Sequence, residues 1–178
     1  MTHDAFLTQV LPLRDKCFRF AASILRNGPE SEDVAQDILC KLWDRRASLV
    51  DVDNLEAFAM RATRNLAIDR KRNSHWRTTD TDALFDLSSP DVAPDTQVEQ
   101  AEALGAVMDC MQHLPELQRD ILHLREVDEL SYQEIAATLD IPEAQVKVYL
   151  HRARKRVRSL IDPAHAPSPH AHPNKQAQ

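Results

Sequence analysis

Lys147, Val148, His151, Arg152 and Lys155 stand at steps of one, three and four residues, and with Ala144 they fall on one side of a helix. Val146, Leu150, Ala153 and Val157 fall on the other side. From Lys147 to Arg158 there are six basic residues and no acid. An apolar back with a basic front suits recognition, not bond-making. Ammonium and guanidinium groups hold phosphate oxygens, Arg reaches a guanine edge with two donors, and a Val methyl meets a thymine methyl.

A second basic set lies on an earlier helical pattern: Arg61, Arg64, Asn65, Ile68, Lys71 and Arg72, opposite Leu55, Phe58, Ala62 and Leu66. With His75 and Trp76 just beyond, this set suits single-stranded or melted DNA, where phosphate contacts combine with a ring on which a base stacks. Trp76 fits equally well as a core residue closing the helix. A third set is acidic. Asp33, Gln36, Asp37 and Asp44 share one side of a helix, opposite Val34, Ala35, Ile38, Leu42 and Trp43. It reads as a solvated face or as a docking surface for a basic partner helix.

Other chemistries lack their residues. The 178-residue chain has two glycines, Gly28 and Gly105, too few for Gly-rich phosphate loops or an all-β fold. No His, Asp and Cys constellation marks catalysis, and Ser131 is better used as a helix cap. Cys17, Cys40 and Cys110 form no CxxC pair, so no structural zinc, other metal or cofactor is expected. The chain has no long apolar run, and its beginning, MTHDAFLTQV, has no basic segment. A cytoplasmic protein with reduced thiols and no direct membrane insertion is the expectation. Net charge is −6, but it is segregated: residues 61–77 carry +5 and residues 80–102 carry −7. Screening limits charge to short range, so local tracts decide what touches phosphate.

These sets need helices to position them. Phe6, Val10, Leu13, Cys17, Phe20 and Ile24 follow helical steps, with Pro12 restarting the pattern. Arg26–Pro29 reads as a stop, Ser31 as the N-cap of a helix reaching about Arg46, and 47–53 as a looser stretch. Asn54 is placed to cap the third helix. The periodicity dissolves from Thr78 to Asp95, an acidic, Pro-containing linker. Beyond it, Val107, Cys110, Met111 and Leu114 share a face, and Pro115 opens a helix at a first-turn position with Leu117, Ile121 and Leu124 behind it. Ser131 caps a short helix to Leu139, Asp140 sits at a turn where positive φ is needed, and Pro142 opens the last helix, to Ile161. Helix, tight turn and basic-fronted helix together read as a helix-turn-helix. The Pro-, Ala- and His-rich tail reads as disordered.

The segments SEDVAQDILCKLW, FAMRATRNLAIDRKR, LPELQRDILHLREVDELSYQEIAATL and VKVYLHRARKRV resemble, in order, a bacterial RNA polymerase sigma factor of the extracytoplasmic-function (ECF, group IV) type of the sigma-70 family. The resemblance covers about residues 5–161. It implies an all-α protein of two small helical domains joined by a flexible acidic linker: sigma region 2 (1–77), linker (78–101), helix-turn-helix sigma region 4 (102–162) and a disordered tail (163–178). It implies a sigma factor, not an enzyme, that binds core RNA polymerase and directs promoter-specific initiation.

The implied roles follow by position. Asp33, Gln36 and Asp37 match the surface that docks the β′ coiled coil, and the second domain is expected on the β flap. Asn65 in RNLAID matches a position that helps recognise the minus-ten element, and Arg61, Arg64, Lys71, Arg72 and Trp76 of the same basic set are assigned to that element with it, with loop 47–53 resembling one that captures a flipped base. Lys147, Val148, His151 and Arg152 match the positions that read the minus-thirty-five element, and Lys155 on the same face is assigned to its phosphates. The linker resembles a segment threaded near the RNA exit path, and an anti-sigma factor is the implied regulator. The chain departs from the family pattern with Asp140 in place of a common Gly, Ala144-Gln145 in place of Gly-Thr, and Val148-Tyr149 in place of Ser-Arg. A stand-alone helix-turn-helix regulator with an N-terminal sensing domain explains residues 102–162, but neither the basic third helix nor the acidic helix at 31–46.

Overall fold

A computed structural model describes residues 1–74 and 110–161, and among these all regular structure is helical. The helices are α1 (His3–Gln9), α2 (Arg14–Leu25), α3 (Gly28–Asp44), α4 (Leu55–Ser74), α5 (Glu116–Glu126), α6 (Tyr132–Leu139) and α7 (Glu143–Ile161). Short 3-10 turns at Leu11–Leu13 and Ser48–Asp51 join α1 to α2 and precede α4. The linker, His75, Trp76, Val107 and the tail lie outside the described residues.

The local signals act largely as read. Pro12 sits in the 3-10 turn where α1 ends and α2 restarts. Arg26 closes α2 in the left-handed region at φ 56°. The cap of α3 is a correction: the Asn27 side chain accepts from the Glu30 amide, Pro29 fills the first turn, and the helix starts before Ser31. Ser31 is a buried interior residue whose hydroxyl donates to the Asn27 carbonyl at 2.6 Å. Asn is as good an N-cap as Ser, and the following Gly-Pro suits the first turn, so the earlier cap wins. Asn54 caps α4 as expected, accepting from the Ala57 amide at 2.8 Å. Pro115 is one residue earlier than read, serving as the N-cap position of α5.

In the first unit α2 packs against both α3 and α4. Cys17, Phe20, Ala21 and Ile24 of α2 share the core with Val34, Ala35, Ile38 and Leu42 of α3. The face that α4 contributes is a second correction. Ala57, Ala59, Met60, Thr63 and Ala67 are buried, while Leu55, Ala62 and Leu66 are only partly covered and Phe58 is exposed. Small residues let α4 approach α2 closely, so the inward stripe is set by fit and not by the largest apolar side chains.

In the second unit α5 packs on α7, and α6 on α7. The two units also pack on each other, α2 against α5 and α4 against α6, and one buried cluster runs through both. As a result α5 is covered nearly all round: Arg119, Asp120, Ile121, Leu122, His123 and Leu124 are buried in succession. A helix enclosed on several sides is ordinarily apolar throughout, and α5 instead buries charged residues that find partners.

Candidate nucleic-acid interface

The helix-turn-helix is built from α6 and α7. The Ser131 hydroxyl accepts from the Glu134 amide, and the Glu134 carboxylate accepts from the Ser131 amide at 2.7 Å, a reciprocal cap for α6. These hydrogen bonds hold the Glu134 carboxyl below the usual carboxylate range. Asp140 closes α6 in the left-handed region, at φ 58° and ψ 47°. That turn aims α7 so that Val146, Leu150 and Ala153 are buried, with Val157 partly so. Ala144, Lys147, Val148, His151, Arg152 and Lys155 are all exposed, and Val148 retains 47% of its surface. An exposed Val between cations is a group positioned for a partner, since nothing among the described residues covers it.

Intramolecular contacts already orient part of this strip. Lys147 pairs with Glu143 one turn back at 2.8 Å, and that hydrogen bond pulls the lysine above its ordinary value. Arg152 lies over the Tyr149 ring at 5.9 Å. Arg154 is held by Glu126 at 2.5 Å, off to the side of the recognition strip.

The basic set on α4 does not form one face. Arg61, Asn65 and Arg72 lie on an exposed stripe together with Phe58 and Asp69. Arg64 and Lys71 turn toward α5. The Arg64 Nε donates to Asp120 at 2.7 Å, and its Nη2 lies 3.4 Å from Glu116. Burial pushes the Asp120 carboxyl up, opposed by the nearby Arg119 and Arg64 charges. Burial, with Arg119 beside it, lowers the Lys71 ammonium. Arg61 reaches Asp140 at 3.0 Å, on the helix-turn-helix turn itself.

The acidic set on α3 is outward as read: Asp33 and Gln36 are exposed and Asp37 half-buried. The periodicity did not reveal that these acids bracket a cation. The Arg70 guanidinium lies 2.5 Å from Asp37 and 3.9 Å from Asp33. Near the preceding loop, Trp43 packs edge-on against Phe6 and carries Arg46 over its face. Loop 47–53 anchors by buried Leu49 and leaves Val50 66% exposed. Among the described residues no cluster of His, Cys, Asp and Glu is arranged to hold a metal.

Sequence reasoning missed Asp120, His123 and Asp128. Asp128 has a fully buried side chain, 2.9 Å from Arg19 of α2, and its other oxygen is 3.2 Å from His123 Nε2 without hydrogen-bond alignment. The His123 ring stacks on Phe20 at 5.4 Å. The available signal was polar residues at positions 119, 120 and 123, interrupting the apolar spacing of α5.

Residues 10–77 match the family model described as Sigma-70 region 2, and residues 104–157 match Sigma-70, region 4. Among curated proteins, the ECF RNA polymerase sigma factor SigW of Bacillus subtilis is 29% identical over 167 residues, covering 89% of each chain. The RNA polymerase sigma factor RfaY of Xanthomonas campestris is 33% identical over 145 residues, 79% of this chain but 36% of that protein, so the chain spans about a third of this relative's length. Among solved structures, the sigma factor RpoE of Bartonella quintana, crystallised with the anti-sigma factor NepR, superposes with a TM-score of 0.69 at 23% identity, over 88% of this chain and 96% of that one.

Proposed function

The chain belongs to the sigma-70 family of bacterial RNA polymerase sigma factors, in its two-region ECF form, a transcription-initiation factor and not an enzyme, and we propose the following division of labour among its residues. Region 2 docks core polymerase through Asp33, Gln36 and Asp37 on α3, with the β′ coiled coil as the basic partner. Its α4 contacts the minus-ten element through Arg61, Arg64, Asn65, Lys71 and Arg72, assisted by Trp76, and loop 47–53 offers Val50 to a flipped base. Region 4 rests on the β flap and reads the minus-thirty-five element through α7. There Lys147, Val148, His151 and Arg152 meet base edges and Lys155 meets phosphate. The work takes place in the cytoplasm, and an anti-sigma protein restrains it.

The observation that carries this reading is the α7 strip: four cationic or ionisable side chains and an exposed Val on one face, backed by buried Val146, Leu150 and Ala153. A basic recognition helix with its N-terminal turns free is the geometry that enters a major groove. The test is transcription from a promoter library with purified core polymerase. Selection of templates sharing two elements at fixed spacing supports the reading. Duplex binding without core association makes the chain a stand-alone regulator.

A further inference from the structure

Loop 47–53 leaves the C-terminus of α3 beside a stack of side chains to which no partner is assigned. The half-buried Trp43 ring, in the last turn of α3, meets Phe6 edge-on at 5.0 Å and His3 edge-on at 5.5 Å, both from α1. The Arg46 guanidinium lies over the face of the same ring, 4.3 Å from its centroid. Its Nη1 also donates to the Trp43 carbonyl at 3.0 Å, and the Arg46 amide donates to that carbonyl at 3.1 Å. Just beyond, the Ser48 amide and hydroxyl both donate to the Arg45 carbonyl, at 2.9 and 2.8 Å. Leu49 is then buried and Val50 projects.

Each link fixes the next. A helix end leaves carbonyls without intrahelical partners, and a cation beside them is favoured by the helix dipole. Arg46 meets both demands at the end of α3, and so sets the direction in which the chain leaves the helix. It is held there by shape as well as charge, its plane stacked on the indole while its edge donates. The indole is held in turn, because Phe6 is buried in the core and packs against its edge. At the far end of the loop the Asn54 cap fixes the start of α4, and buried Leu49 pins the chain between the two. A loop tied at three points with one exposed apolar tip is preorganised for a partner.

We propose that Trp43 and Arg46 are positioning residues for base selection: their stack sets the aim of loop 47–53, and with it the stringency with which one unpaired base of the minus-ten element is chosen. The proposal rests on the reading of that loop as a base-capturing one, and it places a determinant of selection outside the loop and outside the basic face of α4. Neither side chain touches DNA in this role. A guanidinium stacked on a ring, with a donor taken by a main-chain carbonyl, serves geometry, and a lysine, a point charge without a plane, does not replace it. Loosening the stack lets the loop take more orientations, so the correct base loses contacts that the wrong bases never had. Phosphate contacts elsewhere carry affinity without sequence, so discrimination at that base falls while the rest of promoter binding stays.

The test uses holoenzyme assembled from the full chain and purified core polymerase, transcribing a promoter library in which each minus-ten base is varied in turn. The quantity read is the selectivity at each position, the ratio of transcript from the preferred base to transcript from the others. Arg46→Ala, Arg46→Lys and Trp43→Leu are compared with wild type, with folding followed by circular dichroism and core affinity by fluorescence. The expected result in all three is a fall of about fivefold or more in selectivity at a single position. Selectivity at the other positions and core affinity stay as in wild type. Wild-type selectivity throughout in Arg46→Ala overturns the proposal. So does a uniform loss of transcript with selectivity kept, which makes the stack a matter of folding alone. Selectivity lost in Arg46→Ala but kept in Arg46→Lys overturns it too, because a charge on DNA then accounts for the residue. If Trp43→Leu unfolds, the two Arg46 variants decide by the same readings. A wild-type holoenzyme with no base preference anywhere in the minus-ten element overturns the base-capturing reading itself, and is told apart from the other outcomes because it needs no variant.

Discussion

Arg70 of α4 holds Asp37 of α3 at 2.5 Å and keeps Asp33 within 3.9 Å, so the two acids assigned to polymerase docking are organised by a cation of their own domain. This changes what a charge reversal does. Asp33→Lys with Asp37→Lys is expected to abolish co-purification with core polymerase. Arg70 then faces two lysines, and a modest loss of stability, about 1 kcal/mol, accompanies it. Arg70→Gln relieves the pairing without touching the docking acids and should retain core binding. Wild-type affinity of the double lysine variant for core, measured by gel filtration or fluorescence, removes the docking assignment.

On the recognition helix, Arg152 and Lys155 are expected to separate by the kind of contact each makes. Arg152→Ala should lose base discrimination worth about 1–3 kcal/mol at one position of the minus-thirty-five element. Lys155→Ala should weaken all sequences alike and flatten the salt dependence. Leu150, buried under both, should remove both effects when replaced by Asp, because an unpaired charge in that core unfolds the domain. A binding series against element variants at two salt concentrations is the check. Uniform loss in Arg152→Ala assigns that residue to backbone, leaving base reading to Lys147, His151 and Val148.

The reciprocal cap at Ser131 and Glu134 gives a pH dependence with a defined sign. Hydrogen bonds from Ser131 hold the Glu134 carboxyl below its ordinary 4.5. A carboxyl lowered in the folded state stabilises fully above the unfolded value and loses that contribution as pH falls through the folded one. Glu134→Gln should therefore be less stable than wild type at pH 7, by less than about 1 kcal/mol because the site is largely solvated. The gap should close as pH drops below 4.5, as seen in paired thermal melts. Ser131→Ala, which removes the other half of the cap, should cost about 1 kcal/mol near neutral pH.

The thiols should differ sharply in reactivity. Burial pushes Cys17 up to about 11, while Cys40 is exposed and Cys110 is partly covered. At neutral pH the Cys17 thiolate is therefore scarce, and the thiol is shielded from reagent as well. Titration with a thiol reagent and mass mapping should label Cys40 first and leave Cys17 unmodified until denaturant is added. Labelling of Cys17 at the rate of Cys40 in native protein contradicts the burial of Cys17 in the packing of α2.

Elements whose signals are local could be read directly from the residues. Pro12 marks the break before α2, Asn54 the start of α4, Ser131 the start of α6 and Asp140 its left-handed end, because each acts on hydrogen bonds or dihedrals within a few residues of itself. The two faces of α7 were legible for the same reason: a helix in contact with its neighbours on one side only shows its exposure in its period. The four ordered motifs carried the family and so the two-region architecture. The inward stripe of α4 was not legible, since Ala57, Ala59, Met60, Thr63 and Ala67 are chosen by how closely α4 lies on α2, which the larger Phe58 and Leu66 misreport. Nor was the α3 cap, where Asn27 and Ser31 compete four residues apart. The largest decision left to tertiary structure was the seam between the regions. Asp120 looks like a solvated acid and Arg64 like a free phosphate contact until folding brings residues 56 positions apart within 2.7 Å. Long-range charge pairing leaves no periodic trace in sequence, because any acid of the second unit satisfies the chain locally, and only docking two helical surfaces selects which one is buried.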